Sequence, residues 1–248
     1  MTLLRTLFNR RWWWTTLLVV VGMLVLVRLG LWQLDRLDQR RAANVVLLQQ
    51  LDAPPVSLNE GLEGLDLVAM TDRQVTATGT FDLERQVLLK LQYYNNTPGG
   101  HLLAPLRLPG REEAILVDRG WIPETALDPA AWGQFDEPGE VTVTGRLRPT
   151  ETLSRNAGAT PDPAAVPGEV YRVDIAAVQR QVPYPLLPVY LLQAPAGAND
   201  TPPLRAAPEF DLSEGPHLSY AIQWFSFALM LGVGYVYYVW RHTRPGGR

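Results

Sequence analysis

Two long apolar runs, one at each end of the chain, limit the folds that this sequence can adopt. The first occupies residues 12–27 and resumes after Arg28, and the second covers 218–240 without a single charge. A helix needs roughly 20 apolar residues to cross the ~30 Å hydrocarbon core of a bilayer. The sequence therefore predicts a membrane protein with transmembrane helices at 12–34 and 217–240.

A cleaved signal peptide is the alternative interpretation of the first run, because Arg5, Arg10 and Arg11 precede it as they would in a signal peptide. No small-residue cleavage site follows, and the apolar run is longer than the core of a typical signal peptide. An uncleaved anchor is favoured.

Arginines at the two ends of the chain predict the topology. They precede the first run at 5, 10 and 11 and follow the second at 241, 244 and 248. The positive-inside rule then places tails 1–11 and 241–248 in the cytoplasm and residues 35–211 on the opposite side. Arg36, Arg40 and Arg41 count against this topology, because they follow the first run on the supposed outer side.

The region 35–211 predicts a helical stalk followed by a β-rich domain. Apolar residues recur at helical spacing over 31–51, and Pro54-Pro55 ends the helix. Runs typical of strands follow at 74–81, 86–91, 102–108, 114–117, 141–147 and 189–193. Asp174 is the expected N-cap of a short helix reaching about Gln181, and a Pro-rich tether follows at 194–208. The expected fold is an α+β membrane protein whose two terminal helices flank an antiparallel sheet or small barrel.

Composition excludes several classes of function. A net charge of -3 without a basic stripe argues against nucleic acid as a partner. Cysteine is absent, which removes thiol chemistry, and the 4 methionines form no cluster that could carry copper. The 3 histidines belong to no hydrolase or phosphate-binding motif, so the chain is not expected to be an enzyme.

The second apolar run carries a candidate ligand site. His217, Tyr220 and Trp224 recur at spacings of three and four residues, as they do along one side of a helix. Histidine at a membrane interface can ligate haem iron, with aromatic residues beside the macrocycle. The alternative is that His217 is an interfacial polar residue and that the aromatic stripe packs against the first helix. Arg28, inside the first run, is a candidate partner for a haem propionate or for a lipid phosphate.

Another group of polar and aromatic residues follows the predicted strand at 114–117. A buried Asp118–Arg119 pair with packing by Trp121 explains this segment structurally rather than catalytically.

Three segments together resemble the Surfeit locus protein 1 family of assembly factors for haem–copper cytochrome c oxidase. They are LGLWQLDR at 29–36, ILVDRGWIP at 115–123 and HLSYAIQWF at 217–225. Their order and spacing between two terminal apolar runs resemble the family over nearly the whole chain. Asp118 stands where the family often has Asn.

The resemblance implies an assembly chaperone that assists insertion of haem a into the catalytic subunit of the oxidase. His217 is then the candidate axial ligand of the haem iron, and the implied partners are that subunit and the haem-synthesis enzymes. A structural scaffold that binds oxidase subunits without haem is the alternative, and a membrane-anchored enzyme is a weaker one. A short N-terminal tail favours a bacterial cell membrane over the mitochondrial inner membrane.

Overall fold

The computed structural model describes residues 9–60, 62, 64–151 and 168–243. The predicted tails 1–11 and 241–248 lie largely outside these residues. The chain divides into two compact units, residues 1–46 with 210–248 and residues 47–209. Its α-helices are α1 (Trp13–Asp52), α2 (Ile175–Gln179) and α3 (His217–Thr243).

The first unit consists of most of α1 together with α3. Both helices are long and apolar enough to cross a membrane, with lengths of 40 and 27 residues. They run antiparallel, since Thr16 near the start of α1 is hydrogen-bonded to Tyr235 near the end of α3. The prediction of helix over 31–51 is confirmed, because α1 continues to Asp52, just before Pro54-Pro55.

The second unit is built mainly of β-strands. These are β1 (Val56–Ser57), β2 (Gln74–Phe81), β3 (Val87–Tyr94), β4 (Thr97–Arg107), β5 (Ala114–Pro123), β6 (Glu140–Pro149), β7 (Glu169–Val170) and β8 (Leu186–Gln193). Short 3-10 helices lie at Leu83–Arg85, Glu124–Ala126 and Pro129–Phe135. The predicted cap of α2 is confirmed, since the Asp174 carboxylate accepts a hydrogen bond from the backbone N–H of Ala177.

Five of the strands close into a barrel in the order β2, β6, β8, β5, β4. The barrel closes where β4 returns to β2, with Thr80 opposite Arg107 and Phe81 opposite Leu106. The strands β3, β7 and β1 extend the sheet outside this ring. Of the two predicted arrangements, sheet or barrel, the structure has the barrel.

The barrel interior is an apolar core formed by alternate side chains of the strands. In β2, for example, Val75, Ala77, Gly79 and Phe81 are buried while the residues that alternate with them are more exposed. Facing strands contribute Leu106, Ile115, Val117, Val143, Leu147 and Leu191 to the same cluster. This alternation is the pattern from which β2 is predicted with its correct bounds.

Two features of β5 differ from the prediction. The pairing of β5 with β8 is parallel, so the sheet is mixed rather than antiparallel. In addition, β5 does not end at Val117 but runs through residues 118–121 to Pro123, with nearly every residue buried. The prediction stops at Val117 because the charged residues Asp118 and Arg119 follow, and charged side chains are rarely buried unless they are paired, as these two are.

Candidate functional site

His217 is the first residue of α3 and is held by a residue of α1. Its Nδ1 lies 2.8 Å from Oε1 of Gln33. An amide oxygen can only accept, so this contact is a hydrogen bond in the tautomer that carries the proton on Nδ1. The lone pair of the neutral imidazole is then on Nε2, the nitrogen that is free to bind another group.

The Nε2 edge of His217 faces Gly215. Within the part of the chain that the structure describes, this nitrogen has no hydrogen-bond partner. Gly215, two residues earlier, has φ +68, and a Cβ added there would lie 3.6 Å from Nε2. Glycine at 215 therefore permits the left-handed backbone and also leaves space against the ligand-binding edge of the ring.

Close packing of α1 against α3 determines which residue of α1 lies opposite His217. Gly30 is buried, and a Cβ built on it would lie 2.6 Å from the ring of Phe225. A Cβ on Gly232 would lie 2.9 Å from Met23. Such small residues let helix backbones approach in a membrane, and here they fix the register that brings Gln33 to His217.

The other predicted site residues occupy different positions around these helices. Trp224 is half-buried on the same side of α3 as His217, whereas Tyr220 is 46% exposed at the margin of the packed face. Arg28 is exposed and precedes buried Gly30 by two residues, a rotation of about 200° around the helix. The structure thus groups Trp224 and, at the edge, Tyr220 with His217, but it does not bring Arg28 to them.

An apolar groove lies toward the opposite end of the helix pair. It has a volume of about 730 Å³ and is lined by residues that include Thr16, Val20, Met23, Gly232 and Trp240. His217 does not line it. The groove and the histidine are therefore separate features of the first unit.

Ion pairs hold the segment that leads into His217. Arg40 is paired with Asp211 at 2.9 Å, and Arg41 binds Glu214 through two hydrogen bonds of 2.8 and 2.9 Å. Asn44 donates to the carbonyl of Leu212. Two of the arginines that counted against the predicted topology thus have a structural role beside α3.

A second cluster of polar residues lies in the barrel unit, at a β-bulge in β5. Leu102 faces Gly120 and Leu103 faces Asp118, so Arg119 is the inserted residue. Its side chain is fully buried, donating to Gln86 at 2.6 Å and to the carbonyl of Phe135. Burial lowers the pKa of this guanidinium from its ordinary value, while the nearby Glu137 opposes the shift.

Glu137 connects Arg119 to the segment that follows the barrel. Its carboxylate lies 3.3 Å from Arg119 and 2.9 Å from Arg205. The neighbouring Leu204 exchanges two backbone hydrogen bonds of 2.8 Å with Trp121. Gly120 makes this approach feasible, because its φ is +122 and a Cβ there would lie 2.6 Å from the carbonyl oxygen of Leu204.

The predicted pairing of Asp118 with Arg119 is wrong. Asp118 contacts His101 instead, with 2.8 and 3.0 Å between its oxygens and Nδ1, and Arg119 is paired with Glu137. Consecutive residues of a strand point to opposite faces, and the bulge further separates the two side chains. The prediction that Trp121 is packed is confirmed, since it is 5% exposed.

Across residues 9–60, 62, 64–151 and 168–243, no three or more His, Cys, Asp or Glu side chains come together to hold an ion.

The sequence alone did not reveal the partner of His217. Gln33 lies within the LGLWQLDR segment, three residues after Gly30 and four before buried Leu37. Those spacings place it on the face of α1 that packs against α3. A glutamine on the packed face of an apolar helix was the signal available, because a buried amide needs a hydrogen-bonding partner.

Comparison with known proteins gives a consistent result. The model of the SURF1 family matches residues 20–229. An uncharacterized SURF1-like protein of Mycobacterium bovis is 31% identical over 225 residues, covering 88% of this chain and 79% of its own. A SURF1-like protein of Caenorhabditis elegans is 25% identical, over 82% of this chain and 67% of its own.

A plant protein extends the similarity to the protein for which the family is named. Surfeit locus protein 1 of Arabidopsis thaliana is 22% identical over 249 residues, covering 81% of this chain and 70% of its own. The family match includes His217, Gln33 and the β5 bulge. This chain belongs to the SURF1 family.

Proposed function

We propose that this chain is a membrane-anchored assembly factor for haem–copper cytochrome c oxidase, which holds haem a for insertion into the catalytic subunit. Membership of the SURF1 family supports the oxidase context. The observation that carries the haem-binding role is His217, whose Nδ1 contacts Gln33 and whose Nε2 makes no hydrogen bond among the described residues. Metal-bound histidines commonly have this arrangement, with the second nitrogen donating to a neighbouring acceptor.

The residues around His217 fit an axial ligand site. When bound, haem would supply the iron that Nε2 ligates. Trp224, half-buried on the same side of α3, and Tyr220 offer aromatic surface beside a flat macrocycle. Arg28 does not fit a propionate contact at this site, because it lies on the far side of α1. Its proposed role is to reach a lipid phosphate from the end of the span.

The proposed topology has α1 and α3 crossing a bacterial cell membrane, with both chain termini in the cytoplasm. Spans at 12–34 and 217–240 then leave the barrel unit and the end of α1 outside. Haem-synthesis enzymes and the oxidase catalytic subunit are the proposed partners, and no reaction is assigned to the chain itself.

A scaffold that binds oxidase subunits without haem is the second candidate function. The observation that favours it is an exposed apolar surface on β3, where Leu91 and Tyr93 are 72% and 67% exposed. Large exposed apolar side chains are typical of protein-binding surfaces when they occur together.

An absorption spectrum separates the two functions. The full chain would be purified in detergent from cells that make haem a and from otherwise identical cells that do not. We expect a Soret band and a haem a pigment only in the first preparation. A colourless protein from both, still associated with oxidase subunits, would exclude the haem-binding role and leave the scaffold.

A further inference from the structure

We infer that Gln33 is a positioning residue that fixes His217 in the tautomer with its proton on Nδ1, so that α1 determines how α3 presents its ligand. The tautomer itself is a property of the chain without haem. Its importance for ligation rests on the proposed haem-binding role of His217.

The start of α3 does not itself supply an acceptor for the imidazole. The first turn of a helix presents unpaired N–H groups rather than carbonyl oxygens. The carbonyl of Pro216, the residue before His217, already accepts from the hydroxyl of Ser219 and from the backbone N–H of Tyr220. An Nδ1–H of His217 therefore needs an acceptor from another element, and Gln33 provides it at 2.8 Å.

The choice of tautomer determines which edge of the ring can bind a ligand. With the proton on Nδ1, the lone pair is on Nε2, beside the space left by Gly215. The opposite tautomer would direct a proton into that space and would place the lone pair against Gln33. Only the first arrangement presents a donor atom on the side of Gly215.

Contacts of α1 before and after Gln33 in the sequence fix the position of this residue. One turn below, Gly30 packs on Phe225. Two turns above, Arg40 and Arg41 bind Asp211 and Glu214 in the segment before His217. Gln33 is therefore held opposite the imidazole by contacts that do not involve its own side chain.

The experiment measures the tautomer directly in the full chain without haem. The protein would be labelled with isotope-labelled histidine, reconstituted in detergent micelles at a pH that keeps imidazole neutral, and studied by nitrogen NMR. The signal of His217 is assigned as the one missing from the His217→Gln variant. We expect Nδ1 protonated and Nε2 unprotonated in the wild type, and the Nε2–H form to appear in Gln33→Leu.

A conservative variant and a matched control distinguish a loss of ring positioning at His217 from a loss of folding of the chain. Gln33→Glu retains an acceptor oxygen and should keep the wild-type tautomer. Gln39→Leu changes an exposed glutamine of the same helix and should leave the signal unchanged. A protonated Nε2 in the wild type, or an unchanged tautomer in Gln33→Leu, would overturn the inference.

Haem loading gives an independent second measurement. Loss of a hydrogen-bonding partner of a metal-bound histidine typically weakens binding by about 10–100-fold, and we expect a loss of that size in Gln33→Leu. If the wild type binds no haem but shows the expected tautomer, the proposed function fails and the role of Gln33 in positioning the ring stands. If haem binds but Gln33→Leu loads as well as the wild type, the function stands and Gln33 loses its role in ligation.

Discussion

Arg41 of α1 and Glu214 form a two-point ion pair, Nε to Oε1 at 2.8 Å and Nη2 to Oε2 at 2.9 Å, just before the start of α3. With the Arg40–Asp211 pair beside it, this contact ties the segment that leads into His217 to the first helix. Both carboxylates are exposed, so each pair contributes little to stability on its own. Their joint effect is to restrain the backbone next to the candidate ligand.

This restraint should weaken at acid pH. The hydrogen bond from Arg41 lowers the pKa of Glu214 from its ordinary value of 4.5, and hydrogen bonds from Ser213 lower that of Asp211 from 3.8. A lowered carboxylate pKa stabilises the contact above the ordinary value. As the pH falls below the ordinary pKa and then through the lowered one, the carboxylate is protonated and this stabilisation is lost. We expect the segment 211–214 to loosen progressively below about pH 4.5.

Spin labels can measure that loosening, because the chain has no native cysteine. Labels at Ala43→Cys and Leu212→Cys should report a narrow distance distribution at neutral pH that broadens in acid. The Arg41→Gln variant, which lacks the ion pair with Glu214, should be broader at neutral pH and less sensitive to acid. An equally narrow wild-type distribution at acid and neutral pH would contradict the account.

Close packing of the two helices at Gly30 gives a second prediction. Gly30→Leu places a side chain where the Phe225 ring already lies, so the ring or the helices must shift and the amount of correctly folded protein should fall. Gly234→Ala is the matched control, since a Cβ there meets nothing within 4 Å. Thermal unfolding in the same detergent should show a lower midpoint for Gly30→Leu and an unchanged one for Gly234→Ala. Equal midpoints for the two variants would show that this packing does not hold the helices together.

Trp121 should stabilise the barrel unit rather than act in any chemistry. It is 5% exposed and stacks on Tyr94, with ring centroids 5.6 Å apart. Trp121→Ala should lower the free energy of unfolding by about 3–5 kcal/mol, as truncation of a buried tryptophan does. Hydrogen exchange of the amides in β4 and β5 of the full chain would detect the loss. If the amides of the Trp121→Ala variant were protected as in the wild type while oxidase assembly was lost, Trp121 would instead belong to a partner-binding surface.

The proposed topology predicts the side of the membrane on which each part of the chain lies. A reporter fused after position 248 should be active only in the cytoplasm, and one inserted near position 150 only outside. An external location for the C-terminus would contradict the topology, and with it the placement of the barrel unit.

Much of the fold could be predicted from the sequence where one face of an element is buried. The alternation of Val75, Ala77 and Phe81 gives β2 its bounds, and Asp174 marks the start of α2. The end of β5 could not be predicted, because its charged residues are buried and it contains a bulge at Arg119. Gly120, within the segment ILVDRGWIP at 115–123, was the signal for that bulge.

The candidate site was predictable only on the helix that carries the histidine. Helical spacing predicts that His217 and Trp224 share one side of α3. The partner on α1 depends on how two helices pack, which spacing along one of them does not determine. Arg28 and Gln33 are both polar residues of the same apolar run, and only the packing at Gly30 shows which one lies on the face toward α3.

The most direct test of the account is the haem content of His217 variants. His217→Ala and His217→Gln should both abolish or shift the Soret band, because neither side chain can replace imidazole as an iron ligand. Both should still insert into the membrane, since the apolar residues of α3 are unchanged. Leu229→Ala, at an exposed position of the same helix, should keep the wild-type spectrum. Haem content and spectrum equal to wild type in both His217 variants would contradict the central claim.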